Sequence, residues 1–295
     1  MFVRYKKYFY RFNRRIEKML LVKENIGNEL REAILSQITN SLGLETNSDS
    51  SDEVKVHELR KVVKRCRALL KLLRPALDES SFYDLDEILG RSARLLTDQR
   101  EATVNLRTFI NLTNRSKTRL PDDLKNNILN ELTKNINQSY NLAQNNFPNQ
   151  LHESLLSLML IKDKFENLIL HHIEDKDLKL LLRKTYQKTA KLYGDARFSL
   201  DTEIIHKWRK FTKHLLFQLK LSPFQTKGKM GRMISSLEEL SDTLGNEHDL
   251  AIMEDYLKSN FEFSSNDQQQ IHLIVSKERS RLQKRAFIIG AKLFS

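Results

Sequence analysis

The sequence predicts an all-α protein built from helical bundles, and three observations carry that expectation. Apolar residues recur at helical spacing along nearly the whole chain, which favours amphipathic helices over strands. Helix breakers are scarce, with eight glycines and four prolines in 295 residues. Two blocks of sequence occur twice in the same order, so two related halves sharing an interface are expected rather than a short-period solenoid.

The most informative stretch is residues 57–74, which opens His57-Glu58-Leu59-Arg60-Lys61. Wound at about 100° per residue, His57, Arg60, Lys61, Lys64, Arg67 and Lys71 share one side, and Leu59, Val62, Val63, Cys66, Leu69, Leu70 and Leu73 the other. An ordinary solvated face mixes both signs, because like charges one turn apart destabilise a helix by roughly 0.2–0.5 kcal/mol per pair. This face has a single acid, Glu58, at its flank. Two other amphipathic stretches read as plain solvated faces by comparison: 81–95, with Asp84, Asp86 and Glu87 beside Arg91 and Arg94, and 232–244, with Glu238, Glu239 and Asp242.

The pattern returns at residues 206–214, where His206, Arg209, Lys210 and Lys213 repeat the offsets of His57, Arg60, Lys61 and Lys64. Trp208, Phe211, Leu215 and Leu219 take the apolar side. Leu96-Thr97-Asp98-Gln99-Arg100-Glu101 likewise aligns with Leu244-Gly245-Asn246-Glu247-His248-Asp249.

In chain order, residues 1–23 form a basic, aromatic, helical extension, with Phe2, Phe9, Phe12, Ile16, Met19 and Leu20 roughly on one side. Packing on the body and reaching out as a surface-binding arm are both open readings. A helix follows over 24–42, then a loop over 43–53 rich in Ser, Asn and Asp. Ser50 and Glu53 resemble a capping box that starts the first basic helix, and Pro75 ends it. Helices are predicted over 81–97 and 99–113. Pro121 opens another to about 145, and Pro148 divides it from one over 150–171. The second half then runs 176–193, stopped by Gly194; 201–220, the second basic helix; a turn through Pro223, Gly228 and Gly231; and helices over 231–245, 247–259 and 266–292. The last carries Lys277, Arg279, Arg281, Lys284 and Arg285. The halves are placed at about 24–145 and 150–295.

Fifty Lys and Arg against 38 Asp and Glu give a formal charge of +12, a field that attracts polyanions and anionic surfaces. One cysteine, Cys66, rules out an intrachain disulfide and suits a reducing compartment. No apolar run approaches the roughly 20 residues of a membrane span. The opening segment also lacks the apolar core of a signal peptide, so a soluble, cytoplasmic protein is expected. Gly228 and Gly231 with Lys227 and Lys229 lack the order of a phosphate loop, and there is no H-E-x-x-H or C-x-x-C. His171, His172 and His272 stand isolated and read as surface residues. His57 and His206 share a place in the duplicated motif, but their neighbours are cations and no carboxylate lies on their face. No metal, cofactor or catalytic residue is therefore assigned.

The His-x-x-Arg-Lys-x-x-Lys-Arg motif beginning at His57, the helix opening near Arg100-Glu101, and the second copy with Leu244-Gly245-x-x-His248-Asp249-Leu250 resemble the CHAD family, the conserved histidine α-helical domain. The likeness spans about residues 24–290. It departs where the family's usual Arg-Asp pair reads Arg100-Glu101 and His248-Asp249, and where His214 replaces a common Arg. The resemblance implies two four-helix bundles related by a pseudo-two-fold axis, with the basic helices lining a central pore or groove. It further implies binding of inorganic polyphosphate, often at polyphosphate granules. By position the lining residues are His57, Arg60, Lys61, Lys64, His206, Arg209, Lys210 and Lys213, with Arg67, Lys71 and Arg100 in second rank. With no triphosphate tunnel domain in these residues, it implies no catalysis.

The residues support this on their own terms. A cation about every 5.4 Å along a helix suits a long, flexible anion, and Arg and Lys offer charge-assisted hydrogen bonds to phosphate oxygens. Three other readings use the same face. Single-stranded nucleic acid is one, although such binders interleave aromatics with cations and Trp208 and Phe211 fall on the apolar side. A phosphotransfer enzyme with His57 or His206 as nucleophile lacks an acid partner. A purely structural basic bundle is the last.

Overall fold

The computed structural model describes residues 10, 12–14, 16–17, 25–43, 52–95, 98–115, 120–222 and 228–294, without the side chains of 52–53, 98–101 and 138–148. From residue 25 onward these form α1 (Ile26–Leu42), α2 (Asp52–Leu73), a 3-10 turn (Arg74–Ala76), α3 (Glu79–Leu95), α4 (Asp98–Arg115), α5 (Asp122–Asn167), α6 (Asp175–Ser199), α7 (Thr202–Leu221), α8 (Lys229–Asn260) and α9 (Ser265–Phe294). No strand occurs among the described residues, and the all-α expectation holds.

Local chemistry sets several of the ends. Asn25 accepts from the Asn28 amide at 3.1 Å and Asp201 from the Ile204 amide at 2.9 Å, each satisfying an orphan donor at a helix start. Glu174 and Asp177 make a reciprocal capping box at the start of α6. Pro75 sits in the 3-10 turn that closes α2, as its missing N–H requires. The proposed capping box at Ser50 and Glu53 lies outside the described residues.

Three predicted breaks are absent. Helix α5 runs unbroken for 46 residues past Pro148, α6 continues through Gly194 to Ser199, and α8 continues through Gly245 to Asn260. The reason is burial on both sides of each breaker. In α5, Leu124, Ile128 and Leu132 are buried before Pro148, and Leu151, Leu155, Leu158, Ile161 and Phe165 after it. A glycine inside a helix costs only about 1 kcal/mol, whereas each large apolar side chain buried returns about 1.5–3 kcal/mol. In α6 the reversal instead falls at Leu200, whose φ of 55° places it in the left-handed region.

Helices α1, α2, α3 and the C-terminal half of α5 pack as one four-helix group. Helices α6, α7, the N-terminal half of α8 and the C-terminal half of α9 pack as another. The two share a continuous core and meet where α2 lies against α7. The other ends of α5, α8 and α9 extend beyond it and close with α4 around a second core that includes Phe109, Leu112, Ile128, Met253 and Ile274. The segment 150–167, read as the start of the second half, thus completes the first bundle, because α5 is one helix. Ahead of α1, Phe12 and Ile16 are buried in the first core, Phe12 stacking on Tyr186 at 3.9 Å, and Glu17 pairs with Arg183. Tyr10 is exposed, and most of the rest of the basic extension, with its reading as an outward arm, lies outside the described residues.

Candidate functional site

The site begins with the backs of the two basic helices. All seven apolar positions expected on α2 are buried. Ala68 and Leu72 are buried as well. On α7, Trp208, Leu215 and Leu219 are buried and Phe211 is half-buried, its ring 5.8 Å from Lys188 Nζ. Burial of these stripes against their own bundles leaves the cationic sides to approach one another where α2 meets α7.

At that seam Gln218 Nε2 donates to the Ala68 carbonyl at 3.3 Å, the Arg65 guanidinium lies 6.0 Å from the Phe217 ring, and Lys71 Nζ stands 3.5 Å from His214 Nε2. Residues 65–71 of α2 thus lie against residues 214–218 of α7. Two clusters of charge follow. Lys64 from α2 joins Arg209 and Lys213 from α7 around His248 of α8. Arg67 and Lys71 from α2 join Lys210 from α7 around His214.

The imidazoles register this field. Burial first, then Arg209, His206, Lys213 and Lys64, push His248 down to about 3. Burial, then Lys71, Lys210 and Arg67, push His214 down to about 3, against a partial opposing pull from Asp86. His206 is also lowered by burial, Arg209 and Arg279, with Glu247 and Glu203 opposing. Its Nε2 lies 2.7 Å from His248 Nδ1, so at neutral pH one ring donates and the other accepts. Lys71 is lowered too: burial dominates, Asp86 opposes, and Lys210 and Arg67 add to the shift.

Not every predicted residue joins the seam. Arg60 Nη1 donates to the Ala93 carbonyl at 2.9 Å, near the end of α3. Lys61 pairs with Glu58 at 3.0 Å. Arg67, which does border the seam, also holds Asp86 through two bonds, Nε to Oδ1 at 2.8 Å and Nη2 to Oδ2 at 2.7 Å. His57 is exposed at the start of the row, and the Arg100 side chain lies outside the described residues.

Two groups that sequence reasoning missed belong to the surroundings of the site. Asp86, read as part of a plain solvated face, turns onto Arg67. Burial alone would raise its carboxyl, yet the hydrogen bonds and charge of Arg67, with Lys71 and His214, hold it below the usual carboxylate range. Its place beside the buried Leu85 and Leu89 puts it at an edge of the apolar stripe, but the sequence carries no signal of which edge faces α2. Glu247 is fully buried, bonded by Arg279 Nε at 3.0 Å and Gln283 Nε2 at 2.9 Å, and Arg279 Nη2 also donates to Thr202 Oγ1 at 3.1 Å. That network ties α9 to α8 and to the start of α7, directly behind His206.

Chemically, the seam offers charge-assisted donors to an anion with several oxygens. Among the described residues no group of three or more His, Cys, Asp or Glu is placed to hold a metal ion. No described helix is long and apolar enough to cross a membrane.

The fold is similar to that of PptA from Streptomyces chartreusis, with a TM-score of 0.63 at 13% identity over 91% of this chain and 100% of that one. It is also similar to the CHAD domain from the plant Ricinus communis, with a TM-score of 0.58 at 16% identity over 90% of this chain and 88% of that one. No curated protein sequence matches the chain. The CHAD domain family model matches residues 33–258, the stretch that holds both basic helices and the second four-helix group as far as α8, and the chain therefore belongs to the CHAD family.

Proposed function

We propose that the chain binds inorganic polyphosphate along the seam between α2 and α7, without making or breaking bonds. The observation that carries this reading is that α2 packs against α7 with Lys71 Nζ 3.5 Å from His214 Nε2, so that the charges of both rows act on His214 and His248. Crowding Lys64, Arg209, Lys213, Arg67, Lys71 and Lys210 costs free energy that a polyanion offsets. CHAD domains are associated with polyphosphate binding, which agrees with this chemistry. Trp208 is fully buried, so it offers no platform on which a base could stack. The neutral His206–His248 pair is engaged with itself and is given no role as a nucleophile.

The test is calorimetry with long-chain polyphosphate at several salt concentrations. Binding should weaken steeply as salt rises, by counterion release, and collapse when Lys64, Lys71, Lys210 and Lys213 are changed together to Ala. Unchanged affinity in that variant overturns the proposal. So does an oligonucleotide that displaces polyphosphate at equal phosphate concentration, and sustained phosphate release overturns its non-catalytic part.

A further inference from the structure

Asp86 is an acid lodged beside two cations of α2, Arg67 and Lys71, with the His214 imidazole of α7 near them. Its two oxygens accept from Arg67 at 2.8 and 2.7 Å, and its charge also acts on Lys71 and His214. Arg67 thus gives a carboxylate the same planar two-bond fork that a phosphate would take. The pair is open to exchange, with side chains 36% and 27% exposed. Lys71 has His214 as its other neighbour, a group that carries no negative charge in its neutral form.

We infer that Asp86 is the internal counter-anion of the seam, a specificity-determining residue that occupies Arg67 and Lys71 until a ligand with several linked phosphates replaces it. The inference rests on the polyphosphate reading above. Replacing the carboxylate by one phosphate trades one fork for another and leaves Asp86 facing a second anion, so a single phosphate gains little. A chain that also engages Lys64, Arg209, Lys210 and Lys213 has further contacts to outweigh that repulsion. Asp86 therefore sets a threshold that orthophosphate and short chains fail to cross.

The experiment measures orthophosphate, tripolyphosphate and long-chain polyphosphate binding at fixed ionic strength in wild type, Asp86→Asn, Arg67→Gln and the double variant. Asp86→Asn should tighten tripolyphosphate by about tenfold, the scale of one hydrogen bond to a charged group. It should tighten the long chain less, narrowing the difference between lengths. In the Arg67→Gln background the effect should shrink, because it acts through Arg67. Equal weakening at all lengths makes Asp86 a positioning residue for Arg67 and overturns the inference, as does no change. If wild type does not bind the long chain, the polyphosphate reading itself falls. Should Asp86→Asn not fold, the wild-type carboxyl carbon signal of Asp86 decides. Its titration midpoint should rise toward the ordinary carboxylate value at saturating long-chain polyphosphate, and an unmoved midpoint overturns the inference.

Discussion

Along α2 three cations of the row meet oxygen: Arg60 the Ala93 carbonyl, Lys61 the Glu58 carboxylate and Arg67 the Asp86 carboxylate. Along α7 the row borders imidazoles, with His206 against His248 and His214 beside Lys71. A carboxylate cancels charge at any pH near neutral, whereas a neutral imidazole accepts a hydrogen bond and cancels none. One row of offsets therefore gives two different fields. The neighbouring helices, not the motif, decide how much positive charge is left for a ligand.

The backs of the two helices differ as well, and here the largest effect is expected. Leu59 and Trp208 hold the same place in the motif and are both fully buried. Trp208 stacks on Phe287 at 5.7 Å and meets Tyr193 at 5.5 Å, and Gly290 of α9 comes so close that an added Cβ would stand 2.7 Å from the Tyr193 ring and 3.0 Å from Trp208. Trp208→Ala should cost about 3–5 kcal/mol in urea unfolding, at or above the loss from Leu59→Ala. Trp208→Phe should cost much less, because the buried Trp208 Nε1–H has no acceptor among the described residues. A larger loss for Leu59→Ala would break this side of the comparison.

The fronts come next. Changing Arg209 and Lys213 to Ala should weaken polyphosphate binding by about 1.5–3 kcal/mol per lost charged contact. Changing Arg60 and Lys61 to Ala should weaken it less, since Arg60 is turned to the Ala93 carbonyl and Lys61 to Glu58, and neither is among the cations that act on His214 and His248. Calorimetry at one salt concentration compares the pairs. Equal losses would mean that the internal partners of α2 release their cations without cost.

The stripe behind each row was legible because its period is a local property: the seven apolar positions of α2 all went inside. Helix ends were less so, because Gly194 and Gly245 act locally while the burial that overrides them depends on neighbours brought up by the fold. Asp86 was hidden for a related reason. Nothing in the periodicity of α3 says which flank faces α2, so an acid that ends on Arg67 looks like one that ends in water. His248 could be aligned with Arg100, but its 2.7 Å approach to His206 is a property of how α8 crosses α7.

A pH series sharpens the contrast at a smaller scale. His214 and His248 are held at about 3 in the folded protein, against an ordinary value of 6.5. Below pH 6.5 the unfolded chain gains protons that the folded one does not, so stability falls as pH drops from 6.5 toward 3. The Asp86 and Glu254 carboxyls, both held below their ordinary values, add losses only at lower pH. Between pH 6.5 and 5 the histidines are thus isolated, and each should account for about 1–2 kcal/mol. Urea midpoints should fall in that range and fall less in His214→Asn and His248→Asn. A flat wild-type profile would show that neither burial nor the charges of the row hold these imidazoles neutral.

The smallest expected effect is also the most direct exchange of one helix for the other. Glu58 in the first motif stands where Lys207 stands in the second, so Lys61 has an acid three residues before it and Lys210 has a cation. The Glu58–Lys61 pair is open, with side chains 35% and 37% exposed, and exposed pairs contribute about 0.2–1 kcal/mol. Glu58→Lys should therefore leave stability nearly unchanged, release Lys61 and give α2 the charge order of α7. Polyphosphate binding should tighten by a few-fold at low ionic strength and return to the wild-type value near 1 M salt, where charges more than about 3 Å apart are screened. Lys207→Glu should do the reverse by giving Lys210 the partner that Lys61 now has. If neither exchange moves the affinity while the Arg209 and Lys213 changes do, the charges that flank Lys61 and Lys210 along their own helices do not set the strength of binding.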